Sequence, residues 1–133
     1  LGVSPTVRRN GSLQCYSAAG LEVFAGDIFA LTAEQLGAVD AIYDRAALVA
    51  LPLASRERYS QHLLALTGAA PQLLICFEYD QNLRQGPPHA VPCAELWGLY
   101  GAAYRLELLA AQAVTDGLKG SVPAHELVWM LKR

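Results

Sequence analysis

Apolar positions along the chain fall into short clusters separated by glycine, proline and polar punctuation, and the spacing inside each cluster predicts its element. Residues 12–16 and 21–25 are short runs around Ser17-Ala18-Ala19-Gly20, a small, flexible connector that suits a β-hairpin. The second run meets Gly26-Asp27, where a strand gives way to a loop. Thr32, placed three residues before Gln35, has capping-box spacing, so a short helix starts at Ala33 and fades near Gly37. Ala41-Ile42-Tyr43 reads as a strand with Asp44-Arg45 as its polar exit, and Pro52 closes the apolar run 46–51.

The clearest helix follows, with Ser55 as its expected N-cap, Tyr59, Leu63 and Leu66 on one face, and Gly68 at the C-terminal cap. Residues 72–79 are almost continuously apolar, as in a central strand covered on both faces. Gly86-Pro87-Pro88 breaks the chain into a loop, and Pro92 opens a helix whose Leu96, Leu99 and Tyr100 share a face. Segments 102–108 and 127–131 are the last strands, separated by a linker carrying Gly117, Gly120 and Pro123. Alternating strands and helices predict an α/β sheet that closes with an antiparallel strand pair.

A chain of 133 residues is one domain at most, and 53% hydrophobic against 17% charged residues predicts a globular protein. A net charge of −2 without any Lys/Arg run argues against nucleic acid as a partner. Cys15, Cys76 and Cys93 are odd in number and lack a C-x-x-C pair, which reads as reduced thiols. His62, His89 and His125 lack metal-ligand spacing, so no metal is expected. Charges and prolines interrupt every apolar stretch before membrane-spanning length, and the N-terminus has no leader pattern. The expectation is a soluble, cytoplasmic protein. Glu78-Tyr79-Asp80 reads as an ordinary polar strand end, and no catalytic acid, base or nucleophile is assigned.

The stretch Asp40-Ala41-Ile42-Tyr43-Asp44-Arg45-Ala46-Ala47-Leu48-Val49-Ala50-Leu51-Pro52 closely resembles the corresponding part of thiopurine S-methyltransferases. Gly26-Asp27-Ile28-Phe29-Ala30-Leu31, Arg56-Glu57-Arg58-Tyr59, Leu74-Ile75-Cys76-Phe77-Glu78-Tyr79-Asp80-Gln81, Gly86-Pro87-Pro88 and Val91-Pro92 follow that family's order at similar spacing. The resemblance implies a Rossmann-like methyltransferase sheet and methyl transfer from S-adenosylmethionine to a small thiol, selenium or tellurium acceptor. It also implies that residues 1–133 form the C-terminal part of one such domain. The first strands, the glycine-containing cofactor turn and the ribose-binding acid have no counterpart in them. An incomplete sheet is therefore expected, inactive without the missing half and inclined to self-associate through exposed sheet edges.

On the same resemblance Arg45 lies near cofactor and substrate, although the residues alone equally allow an ion pair at a strand end, with Asp44 in a structural role. The resemblance implies that Asp27, Ile28 and Phe29 receive the adenine, although Gly-Asp is also an ordinary turn, and that Pro88 and His89 lie near the acceptor, although a rigid turn between strand and helix is the simpler reading of Gly86-Pro87-Pro88. Strong base catalysis is not required, because an aromatic thiol is largely thiolate near neutral pH. The competing reading is a non-catalytic, methyltransferase-like remnant that serves as an interaction module. A nucleic-acid methyltransferase is disfavoured, since neither an N/D-P-P-Y/F motif nor a basic face is present.

Overall fold

A computed structural model describes residues 2–118 and 122–133 and divides the chain into two compact units, Leu1–Ala38 and Val39–Arg133. The first unit is an antiparallel meander of β1 (Thr6–Asn10), β2 (Leu13–Ala18) and β3 (Leu21–Ala25). The predicted hairpin is β2–β3, joined at Gly20, whose φ of +75° suits glycine. Strand alternation puts Leu13 and Cys15 on a buried face, whereas the cross-strand row Val7–Tyr16–Val23 lies on the opposite face with both valines half exposed. After β3 a single 3-10 turn, Ile28–Ala30, leads to the short helix α1 (Ala33–Leu36). Its capping box is formed as expected: the Thr32 hydroxyl accepts from the Gln35 N–H, and the Gln35 side chain accepts from the Thr32 N–H.

The second unit is mixed α/β, a four-stranded sheet in the order β4-β5-β7-β6 with two longer helices. β4 (Ile42–Asp44) runs parallel to β5 (Gln72–Tyr79), and the chain between them forms α2 (Leu53–Thr67). After β5 comes α3 (Cys93–Tyr100), followed by the antiparallel pair β6 (Arg105–Ala113) and β7 (Ala124–Lys132) that ends the sheet. β5 is internal, as its apolar sequence requires, with Leu74 and Cys76 fully buried. The core also contains Leu48, Leu96, Tyr100 and Leu131, each at 0% exposure. On α2 the buried positions Arg56, Tyr59, Ser60, Leu63 and Leu66 recur at helical spacing, and Gly68 ends the helix in the left-handed region at φ +63°.

Three boundaries differ from expectation. Ser55 is not the N-cap of α2: the helix starts at Leu53, and the Pro52 carbonyl accepts from the Ser55 and Arg56 N–H groups. The sixth strand lies at Arg105–Ala113 and not at 102–108, because the Tyr100 carbonyl takes the Ala103 and Tyr104 N–H groups into a turn. The seventh extends beyond 127–131 to Ala124–Lys132 through its ladder with β5. β1, absent from the sequence reading, adds a third strand to the hairpin. In the predicted linker, Gly120 lies outside the described residues, as do Lys119 and Ser121. No helix among the described residues is long and apolar enough to cross a membrane, and no metal-holding cluster occurs among them.

Candidate functional site

The carboxyl ends of the parallel strands β4 and β5 open into a cleft of about 510 Å³. Ile75 and Phe77 line it from one face of β5, while the alternate residues Leu74 and Cys76 are buried in the core. Arg45, Ala46, Val49 and Ala50 form a second side, and Pro87 with Pro88 a third. The cleft is thus walled by aliphatic, aromatic and proline carbon with one cation, Arg45. That side chain is exposed and makes no hydrogen bond or ion pair among the described residues. Such a lining suits a small, partly apolar ligand with an anionic group.

The turn carrying Arg45 is shaped from behind. Asp44, 3% exposed, accepts from the Leu48 N–H at 3.2 Å and from the Tyr59 hydroxyl of α2 at 2.9 Å. Burial raises the pKa of this carboxyl above its ordinary range, against the opposing pull of those hydrogen bonds. Burial also raises the Tyr59 phenol, and the neighbouring Asp44 charge raises it further. Between Asp44 and Leu48 the backbone bends so sharply that Ala46 adopts φ +67°, a left-handed conformation uncommon for alanine.

The proline wall is fixed by a separate network. The Tyr79 hydroxyl donates to the Pro88 carbonyl at 2.6 Å, and Gln81 donates to Tyr79 and to the Arg84 carbonyl while accepting from the Ala90 N–H. Backbone bonds from His89 to the Val49 carbonyl and from Val91 to the Phe77 carbonyl seat the loop against the other walls. Below it, the buried Arg56 clamps Glu95 of α3 in a two-point ion pair at 2.6 and 3.0 Å and donates to the Leu51 carbonyl.

Of the residues singled out in the sequence, Arg45 and Pro88 line the same cleft. His89 is half-buried and adjoins it through its backbone, but its side chain is not part of the lining. Asp27, Ile28 and Phe29 belong to the other unit. There the Asp27 carboxylate accepts from the Phe29 N–H at 2.9 Å, Ile28 is exposed and Phe29 is half-buried. Among the described residues no ion pair joins Asp44 to Arg45; the Asp44 carboxylate instead accepts from the Leu48 N–H and the Tyr59 hydroxyl. Sequence reasoning missed Val49, Ala50, Ile75 and Phe77 as walls, and Tyr59 and Gln81 as supports. The period-2 pattern of β5 assigns Ile75 and Phe77 to one face, but only the tertiary fold marks it as the open one.

In mixed α/β folds of this class, a cleft beyond the carboxyl ends of parallel strands is where small ligands are commonly placed. The sequence model described as Thiopurine S-methyltransferase (TPMT) matches residues 2–132, and the chain belongs to that family. It is 56% identical over 133 residues to the thiopurine S-methyltransferase of Xanthobacter autotrophicus, covering 100% of this chain and 62% of the relative. The enzyme of that name from Gluconobacter oxydans is 50% identical over 129 residues, covering 97% and 59%. That from Teredinibacter turnerae is 47% identical over 133 residues, covering 100% and 62%. The chain therefore spans about three-fifths of the length of these curated relatives.

Proposed function

We propose that these residues carry the acceptor side of an S-methyltransferase site that moves a methyl group from S-adenosylmethionine to a thiol, or to a selenium or tellurium compound. The observation carrying this reading is the Arg45 guanidinium, without a partner among the described residues, at an otherwise apolar cleft in a chain of the thiopurine S-methyltransferase family. The β4-β5-β7-β6 sheet is then part of a Rossmann-like methyltransferase sheet. On this reading activity depends on the further strands, the glycine turn and the ribose-binding acid that the family resemblance implies. A cytoplasmic site belongs to the same reading, in keeping with three free thiols.

Each unit by itself offers groups of the kind that part of S-adenosylmethionine needs. The Asp27 carboxylate keeps acceptor capacity beyond its bond to Phe29 and suits an exocyclic amine, with the exposed Ile28 and half-buried Phe29 as apolar contacts. Arg45 suits a carboxylate or an anionic sulfur, and Pro88, with His89 beside it, the acceptor ring. When bound, this cofactor supplies an electrophilic methyl group on a positively charged sulfur. The chain's own work is alignment: Arg45 holds negative charge, while Phe77, Ile75 and the prolines exclude water and confine the acceptor. No side chain has to remove a proton from an acceptor already present as thiolate.

The test is methyl transfer from S-adenosylmethionine to 6-mercaptopurine by the whole natural protein containing these residues, with Arg45→Lys alongside. Lysine keeps the charge but loses the planar fork, so kcat/KM should fall about ten- to a hundredfold, with the thermal midpoint nearly unchanged. Unchanged kinetics with a lowered midpoint would make Arg45 structural and remove the reading.

A further inference from the structure

Resting on the reading of Arg45 as a ligand-binding residue, we propose that Tyr59 is a positioning residue: through the buried Asp44 carboxylate, its hydroxyl sets the turn that presents Arg45 to the cleft. Tyr59 lies on α2, is 6% exposed and does not line the cleft, so it cannot touch a ligand there. Among the described residues, the hydrogen bond that links it to the Arg45 turn is the 2.9 Å bond to Asp44. The second carboxylate oxygen accepts from Leu48, so one buried group ties the last residue of β4 to both the start of the following 3-10 turn and α2. Arg45 and Ala46 are suspended between these anchors.

Ala46 at φ +67° is what makes the anchoring matter. A non-glycine residue stays in that region only where its surroundings over-determine it. Arg45 gives the turn no help, having no partner of its own among the described residues. Remove the Tyr59 hydroxyl and Asp44 keeps only backbone donors on its own turn. The carboxylate then loses its tie to α2, and the turn gains freedom to relax out of the left-handed conformation. Arg45 would leave its aim while the strand and helix behind it stay folded, because phenylalanine fills nearly the same volume.

The experiment compares the wild type with Tyr59→Phe, Arg45→Lys and the double variant. In amide-resolved NMR spectra of the 133-residue chain, Tyr59→Phe should shift Arg45, Ala46 and Ala47 and speed Leu48 N–H exchange by about tenfold, leaving central β7 amides in place. Unmoved Arg45 and Ala46 resonances overturn the proposal irrespective of activity. In the whole natural protein, Tyr59→Phe should raise KM about tenfold and leave kcat within about a factor of two; in the Arg45→Lys background it should raise KM no further. Additive effects overturn the proposal, since a Tyr59 that merely stabilised the fold would act regardless of Arg45. If Arg45→Lys alone leaves KM unchanged, the ligand role of Arg45 fails instead, and the spectra still decide whether Tyr59 controls the turn.

Discussion

Replacing Arg56 by methionine tests what holds α2 and α3 together beneath the cleft. The arginine side chain is 6% exposed, and its three donor nitrogens reach both Glu95 oxygens and the Leu51 carbonyl. Methionine keeps most of the hydrocarbon volume and removes the charge and every donor. Breaking a buried ion pair from one side costs about 3–5 kcal/mol, mostly through the partner left uncompensated. Glu95 is 19% exposed and lies in the first turn of α3, where water and the helix N-terminus both relieve its charge. The orphaned Leu51 carbonyl restores part of the cost, so the expected loss is about 2–4 kcal/mol. Urea unfolding followed by tryptophan emission reports it, because Trp97 and Trp129 both lie in the Val39–Arg133 unit. The midpoint should drop with an unchanged slope, and Arg56→Met/Glu95→Leu should recover much of the loss. A single-variant loss below about 0.5 kcal/mol would refute the reasoning, showing that the pair only breaks even against its desolvation.

Three further outcomes are expected. The folded-state pKa of Asp44 is raised above its ordinary value of 3.8, so its contribution to stability is fully present below 3.8 and is lost as pH rises through the folded value. Stability curves of wild type and Asp44→Asn, measured by urea unfolding across that window, should therefore diverge in pH dependence, and parallel curves would contradict the shift. Iodoacetamide should modify Cys93 alone in the native chain and all three thiols after denaturation, because Cys15 and Cys76 are buried and burial pushes the Cys76 thiol up to about 12. The chain should self-associate through the edge strand β6, where Leu108 and Leu109 are 47% and 49% exposed, and Leu108→Lys should weaken this. A constant monomer mass by light scattering across a wide concentration range would count against it.

How far the fold was legible follows from where the deciding interactions lie. The Thr32–Gln35 capping box and the Gly68 terminus are local devices, complete within a few residues, and both formed as the sequence indicates. The start of α2 was misread because Ser55 looks like a cap locally, whereas Pro52 accepts the first helical N–H groups and the helix carries Arg56 to Glu95. β6 was displaced for a related reason. Its Leu-Ala-rich half has little intrinsic strand preference and is held extended by the β7 ladder, while Tyr104 is drawn out of the strand to bond the Ala70 carbonyl at 2.6 Å. β1, with a single large apolar residue that stays exposed, shows almost no alternation to read.

The site was legible to the extent that its residues are contiguous. Arg45 stands in a contiguous motif, and the Gly86-Pro87-Pro88 break reads from the sequence as a turn between strand and helix; the fold puts Arg45, Pro87 and Pro88 on one cleft. Asp44 shows where such reasoning stops. A carboxylate at a strand end ordinarily turns toward water, and nothing in residues 40–52 reveals that this one is 3% exposed. Besides the Leu48 N–H on its own turn, the group that compensates its burial is the Tyr59 hydroxyl, fifteen residues away and on another element. Adjacent residues thus take opposite fates: Asp44 is buried and bonded while Arg45 is open and without a partner among the described residues, and Ala46 follows them in the left-handed region. On the reading proposed for Tyr59, the bonds that hold the buried acid also set the turn from which Arg45 projects, so the structural residue and the candidate functional one have to be read together.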